Sequence, residues 1–326
     1  MASCDHLTSI VIPMRNAERY VAGTLNTILG YRDSPIEVIV VDDNSTDASR
    51  ERVSQIADSR IRLINGPGRG ISACLNAGLA AAHGDIVMRC DADDLYPPAR
   101  ISRQIEWLHA NPGFIAVCGA FSTIDENGAH ISDLQCGEMP AEITEELAGG
   151  AVRTHLCSYA IRAKVLRASG GFREYFETAE DIDMQLRLAE HGRIGYLPDV
   201  FYIYRIHASS ITHVQNTARR EFYERMAYQF HSQRKTTGAD DLMRGHPPTP
   251  PAALQHAGNA AAVQIQGFLL GKAWREHGTG NRTKALGIGW RVVRANMTSL
   301  AAWKSLAALI LKPSGGSTPG WRDGKR

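Results

Sequence analysis

Asp91-Ala92-Asp93-Asp94 places three carboxylates within four residues. At close range and intermediate dielectric, each pair of like charges costs on the order of a few kcal/mol. A divalent cation removes that repulsion. Mg2+ and Mn2+ favour oxygen ligands, and Mg2+ is commonly held by one or two carboxylates plus substrate phosphates. The cluster suits a diphosphate held through a metal; a solvated acidic turn capping the next helix is the other reading. Its position directly after a buried-looking strand favours the metal.

Asp42-Asp43-Asn44-Ser45 is a second polar cluster. A carboxylate there can accept from a base N–H or a ribose hydroxyl, although these residue types also favour turns and helix starts for local reasons. Gly66-Pro67-Gly68-Arg69-Gly70 is a glycine-rich loop of the kind that lets a phosphate approach a helix start. It lacks GxxxxGK[ST] and is no P-loop, and a plain connection explains it as well. Arg69 is the side chain in it that could touch a nucleotide. Glu180-Asp181 opens a helical stretch, where acidic residues interact favourably with the helix dipole. A general base suits the same place, and spacing does not choose between the two. Tyr204-Arg205-Ile206-His207 follows the aromatic run Phe201 to Tyr204. The Arg205 fork matches phosphate oxygens, while a lone histidine such as His207 is more often structural.

The elements that must position these groups follow from periodicity. Ser9 to Pro13 is a short β-branched strand, and Ala17 to Leu29 reads as a helix with Val21, Leu25 and Ile28 on one face. Ile36 to Val41 is a nearly continuous apolar run, as in a parallel strand buried on both faces. Helix Asp47 to Ala57, strand Ile61 to Ile64, helix Ser72 to Ala82, strand Asp85 to Cys90 and helix Pro97 to Ala110 continue the alternation. Such alternation predicts an α/β fold with a mostly parallel sheet and right-handed crossovers, whose ligands gather beyond the carboxyl ends of the strands. Met14-Arg15-Asn16, Asp42 to Ser45 and Asp91 to Asp94 all fall at such ends, so they converge on one rim. Beyond residue 114 the alternation weakens to a strand at Ile115 to Phe121, a turn at Ile124 to Gly128 and a helix at Asp181 to His191. The chain then reads as helical from about residue 215. Gly245 to Pro251 marks a stiff linker, and Lys312 to Arg326 reads as a mobile tail. The expected division is a catalytic domain over 1–215 and a helical C-terminal extension over 216–326.

Composition narrows the partners. The 326 residues are 44% hydrophobic and carry a formal net charge of +2. No long basic run marks a nucleic-acid face. The six cysteines are scattered, form no CxxC pair, and fit reduced core positions in a cytoplasmic protein. No export signal and no stretch of roughly 18 apolar residues is evident.

In order, these motifs resemble the family 2 glycosyltransferases of the GT-A fold, over about Thr8 to Thr212. The matching runs are Ser9-Ile-Val-Ile-Pro-Met-Arg-Asn16, Val40-Val-Asp-Asp-Asn-Ser-Thr-Asp47, Gly70-Ile-Ser-Ala-Cys-Leu-Asn-Ala-Gly78, Asp91-Ala-Asp-Asp94, Ala179-Glu-Asp-Ile-Asp-Met-Gln-Leu-Arg-Leu188 and Tyr204-Arg-Ile-His207. The resemblance implies a Rossmann-like GT-A sheet and inverting, metal-dependent transfer from a nucleotide-diphosphate-sugar, by default a UDP-sugar. It implies that Pro13 and Asp43 meet the nucleobase, and that Asn16, Arg69, Asn76, Asp91, Asp93 and Arg205 face the donor. It places Mg2+ or Mn2+ at Asp93, Asp94 and His207, and Asp181, beside Glu180, as the base. Many members carry Tyr where this chain has Arg15 and Arg where it has Leu75, which leaves the donor open. A base at a helix start is expected to have a lowered pKa, with Glu180 pushing the other way.

Three rivals share parts of this pattern: a sugar nucleotidyltransferase, a non-catalytic sugar-nucleotide-binding relative, and a metal-dependent phosphohydrolase. The expected acceptor is a glycan or a lipid-linked glycan, as in cell-surface polysaccharide or glycoconjugate synthesis. Gly289 to Arg294 and Ala302 to Lys304 mix tryptophan with basic residues, which suits a helix lying on an anionic membrane. Simple packing on the catalytic domain explains the same residues.

Overall fold

The computed structural model describes residues 7–134, 137–207, 217–252, 260–295, 297 and 299–314. The expectations for Cys4, Cys136 and most of the C-terminal tail lie outside them. The chain divides into two compact units. The first is Met1–Ser122, Asp133–Arg205 and Gln215–Gln255, and the second is Thr123–Ser132, Ile206–Val214 and His256–Arg326. The helix at Thr217–Thr237 belongs to the first unit.

The first unit opens with β1 (Thr8–Met14), α1 (Val21–Leu29), β2 (Ile36–Asp42), α2 (Ser49–Ser54), β3 (Ile61–Asn65), α3 (Ile71–Ala81), β4 (Ile86–Arg89) and α4 (Arg100–Ala110). It continues with β5 (Phe114–Asp125), β6 (His130–Leu134), β7 (Ala141–Glu142), α5 (Thr144–Ala148), a 3-10 turn at Leu156–Ser158, β8 (Ala160–Arg162), α6 (Ala163–Ala168), α7 (Glu180–Leu188), β9 (Arg193–Ile206) and α8 (Thr217–Thr237). The strand order is β3-β2-β1-β4-β8-β5-β9-β7, with β6 paired to β5. Strands β3, β2, β1 and β4 are parallel, while β8 joins β4 and β5 antiparallel.

Alternation along the strands divides the core between the two faces of the sheet. Ile10, Ile12, Val38, Val40, Ile86 and Met88 enter one apolar cluster. Val11, Ile39, Val41 and Val87 enter the other. Every residue of β2 is buried, as a strand covered on both faces requires. Register sets the rim: Met14 pairs with Asp42, Asp42 with Asn65, and Val11 with Arg89. The carboxyl ends of β1, β2 and β3 are thus level, and β4 ends beside them. Cys74, Cys90, Cys118 and Cys157 are buried free thiols.

The second unit holds the tip of the β5–β6 hairpin and three helices, α9 (Ala260–Gly278), α10 (Arg282–Ala295) and α11 (Leu300–Leu311). Lys272 Nζ donates to Ile131 O at 3.3 Å, and Arg291 Nη2 to His130 O at 3.0 Å, pinning the hairpin to α9 and α10. Among the described residues no helix is long and apolar enough to cross a membrane.

Candidate functional site

The loops after β1 and β2 are tied to each other. The Asn16 N–H donates to Ser45 Oγ at 3.0 Å, and Asn16 Oδ1 accepts from the Thr46 N–H at 2.8 Å. Asn16 and Asn44 both have positive φ, 51° and 59°, a region that asparagine tolerates better than most residues. Pro13 lies half-buried near the end of β1, opposite Val41. Asp43, 4% exposed, holds the glycine-rich loop: its Oδ1 accepts from Gly68 N at 2.6 Å and its Oδ2 from Gly70 N at 3.1 Å. Gly68 has φ 70°, and a Cβ there would sit 2.6 Å from Asn44 Nδ2. The loop is thus built onto Asp43, which retains acceptor capacity on both oxygens for a base N–H. Arg69 reaches outward from it in an exposed pair with Glu174 at 3.0 Å. Such a pair contributes little, so the guanidinium can turn to a phosphate at small cost.

Asn76 Nδ2 donates to Phe172 O at 2.7 Å and its Oδ1 accepts from Phe172 N at 2.8 Å, so its amide clamps the segment before α7. One N–H and one lone pair remain for a donor, and that expected role stays a proposal.

The acidic cluster after β4 separates into three roles. Asp91 is gripped by Arg89, whose Nε meets Oδ1 at 2.7 Å and whose Nη2 meets Oδ2 at 3.1 Å. Asp94 is fully buried, accepting from Tyr202 Oη and from the Arg205 N–H, each at 2.6 Å. Burial, with Asp93 and Asp91 nearby, pushes the Asp94 carboxyl well above its usual range. Asp94 thus ties the strand end to β9 through both oxygens, and its expected place at the metal stays a proposal. Asp93 is half-buried, and its carbonyl accepts from Arg205 Nε at 2.8 Å. The Arg205 guanidinium also lies 4.9 Å from the centre of the Tyr20 ring. His207 is 7% exposed and falls in the second unit, and its part in a metal site stays a proposal.

Among the described residues no group of three His, Cys, Asp or Glu side chains forms a metal cage. Mg2+ held by one or two carboxylates plus substrate phosphates needs no such cage. Asp93→Ala is therefore expected to weaken metal-dependent nucleotide binding at least about tenfold with little change in melting temperature. Asp94→Ala should instead lower stability by about 1–3 kcal/mol, because the Arg205 N–H is left buried without a partner. Metal titration and thermal unfolding of the two variants check this separation.

The opposite wall is the start of α7. Ala179, 5% exposed, adopts φ 62° and ψ 15°, strained for a residue with a Cβ, and sets the direction of Glu180 and Asp181. Glu180 is buried and accepts from Arg89 Nη1 at 2.9 Å. Burial, opposed by Arg89 and reinforced by Asp181, raises its carboxyl to about 7. Asp181 is half-buried, and its Oδ1 accepts from the Ile182 N–H at 2.9 Å. Arg89 thus joins the end of β4 to the start of α7.

Arg89 and His155 are not among the residues the sequence singles out. His155 stacks on Tyr202 at 5.7 Å and on Tyr204 at 5.8 Å, and its Nδ1 accepts from the Cys157 N–H at 3.2 Å. Burial lowers its pKa against the opposing pull of Asp181 and Asp91. The signal that could have found Arg89 is a single charge closing an otherwise apolar run. Nothing local in sequence marks His155.

Residues 9–177 match the sequence profile of glycosyl transferase family 2. An uncharacterized glycosyltransferase, alr2836 of Nostoc sp., is 32% identical over 149 residues, 45% of each chain. The chondroitin synthase of Pasteurella multocida is 26% identical over 212 residues, 64% of this chain and 22% of that one. The chain therefore spans less than half the length of either relative. Among solved structures, residues 1–349 of S. aureus TarS in complex with UDP-GlcNAc superpose with a TM-score of 0.60 at 19% identity. That match covers 93% of this chain and 79% of TarS 1–349, and it shows a shared fold.

Proposed function

The chain belongs to glycosyl transferase family 2, and we propose that it moves a sugar from a nucleotide-diphosphate donor to a hydroxyl acceptor with inversion. The observation that carries this reading is the Arg89 bridge. It holds Asp91, at the strand end that meets the donor, and Glu180, next to the base, on one guanidinium at 2.7–3.1 Å. Asp43 and the loop it organises take the base of the nucleotide, a uridine nucleotide by default, with Pro13 beside it. Arg69 and Arg205 supply positive charge for the diphosphate. Asp93 and Asp94, with His207 as a further candidate, would hold Mg2+ or Mn2+, which would supply charge neutralisation for a leaving diphosphate. Asp181 takes the proton of the acceptor hydroxyl, whose oxygen attacks the anomeric carbon from the face opposite the diphosphate.

The acceptor in this proposal is a growing glycan or a lipid-linked glycan in cell-surface polysaccharide synthesis, which the likeness to chondroitin synthase supports. A cytoplasmic working side and peripheral membrane contact through the C-terminal helices belong to the same proposal.

A thermal-shift screen of nucleotide diphosphates and nucleotide-sugars, with Mn2+ and then with chelator, tests the donor site. A ligand at about 100 times its Kd stabilises by about 2.7 kcal/mol, a rise of about 4 °C for a chain of this size. The expected result is a metal-dependent rise selective for one nucleotide. No rise with any ligand in a folded sample would sink this reading of the acidic clusters.

A further inference from the structure

Helix α11 is apolar on two sides. Ala302, Leu306 and Leu309 are buried. They face α10, where a Cβ on Gly289 would come within 2.9 Å of Leu309 Cδ1 and 3.0 Å of Leu306 Cδ1. On the other side Leu300, Trp303, Ile310 and Leu311 are exposed, at 68%, 41%, 48% and 82%. Trp290 of α10, 48% exposed, meets Trp303 edge-on with ring centroids 6.0 Å apart. A helix that is apolar all round belongs inside a core or against a membrane. At 12 residues α11 spans about 18 Å and is too short to cross a bilayer.

The charges around this surface have one sign. Residues 282–314 hold six basic side chains and no acidic one. Lys284 is paired with Glu276 of α9 at 2.6 Å and contributes less. Arg291 and Arg294 are exposed beside Trp290, and Lys304 is exposed beside Trp303. A second copy docked by two-fold symmetry would set basic face against basic face, which is unfavourable. A bilayer surface carrying anionic lipid complements both features at once, with tryptophan rings at headgroup level and basic groups on the lipid phosphates.

We propose that the exposed face of α10 and α11 docks on an anionic membrane, with Trp290, Trp303, Ile310 and Leu311 as its apolar contacts and Arg291, Arg294 and Lys304 as its charged ones. This makes specific the peripheral contact proposed above, and rests on that reading only in that the acceptor delivered there would be lipid-linked. Docking itself needs no donor and no catalysis.

The test is sedimentation of the full chain with vesicles of phosphatidylglycerol and phosphatidylcholine, against vesicles of phosphatidylcholine alone. Binding is expected to anionic vesicles and to fall at least about tenfold on neutral ones or at roughly 0.5 M salt. Trp290→Ser with Trp303→Ser should lower it about tenfold or more. Arg294→Gln with Lys304→Gln should lower it about thirtyfold. Melting temperature and metal-dependent nucleotide shifts of the variants should stay those of the parent. No vesicle binding, equal binding to neutral vesicles, or variants that bind like the parent would overturn the proposal. So would a dimer in solution that Trp303→Ser dissociates. Vesicle binding without any nucleotide shift would instead strike the glycosyl-transfer reading and leave this surface standing.

Discussion

Asp181→Asn is expected to lower turnover by about 10²–10⁴-fold, the range that a positioned general base contributes. Metal-dependent stabilisation by the donor should be unchanged. The separation follows from what Asp181 touches. One carboxylate oxygen accepts from the N–H of Ile182 at 2.9 Å, and the Asn amide oxygen can keep that bond. The start of α7 and the strained Ala179 before it are then undisturbed, while the group that accepts the acceptor proton is gone. Glycosyl transfer assayed beside the thermal shift of the best nucleotide reads both halves. Full activity in a variant that binds donor normally would remove Asp181 from the mechanism, and loss of donor binding would move it to the donor side.

The parallel half of the fold is legible in the sequence because its strands are buried on both faces and therefore apolar throughout. The apolar runs locate strands β1 to β4 within a residue or so of their observed ends. Helix starts are less legible because side chains from a neighbouring loop take the first N–H groups. The Ala17 N–H donates to Ser49 Oγ at 2.6 Å and the Glu18 N–H to Asp47 Oδ2 at 3.1 Å, so α1 begins only at Val21. Strand β8 has three residues, too few for a period, yet it stands in the middle of the sheet between β4 and β5. Its place depends on pairing with β4, and pairing partners leave no local trace.

The same distinction separates the site residues. That carboxylates gather after β4 is a local fact. Which of them faces solvent is not, because Tyr202, more than a hundred residues on, donates to Asp94 and accepts from the Asp91 N–H. Asn76 reads as a polar group on a helix near the rim; only the return of the chain at Phe172 shows what its amide does. Residues beyond about 215 read as helical without saying what they pack against; α8 packs its Phe222, Tyr223, Met226 and Phe230 with Phe176 in the same unit.

Arg89→Met should be the most destabilising single change in the site, at about 3–5 kcal/mol, because it leaves buried Glu180 and half-buried Asp91 without their cation. Arg89 is 8% exposed and holds Asp91 through two bonds and Glu180 through one. Methionine fills similar volume, so packing loss is the smaller part. The pH dependence identifies the cause. In the parent, burial raises Glu180 from 4.5 to about 7. A carboxyl raised on folding binds its proton more tightly in the native state, so its contribution is complete below about 4.5 and is lost as pH rises through about 7, where the loss levels off. Without the guanidinium the folded value climbs further, so the variant goes on losing stability above pH 7 after the parent has stopped. Denaturant unfolding at several pH values should therefore show a gap that widens from pH 7 upward. Adding Glu180→Gln should narrow that gap, since the amide has no charge to leave unpaired. A gap independent of pH would mean that Arg89 acts through shape alone, and the bridge between β4 and α7 would lose its electrostatic basis.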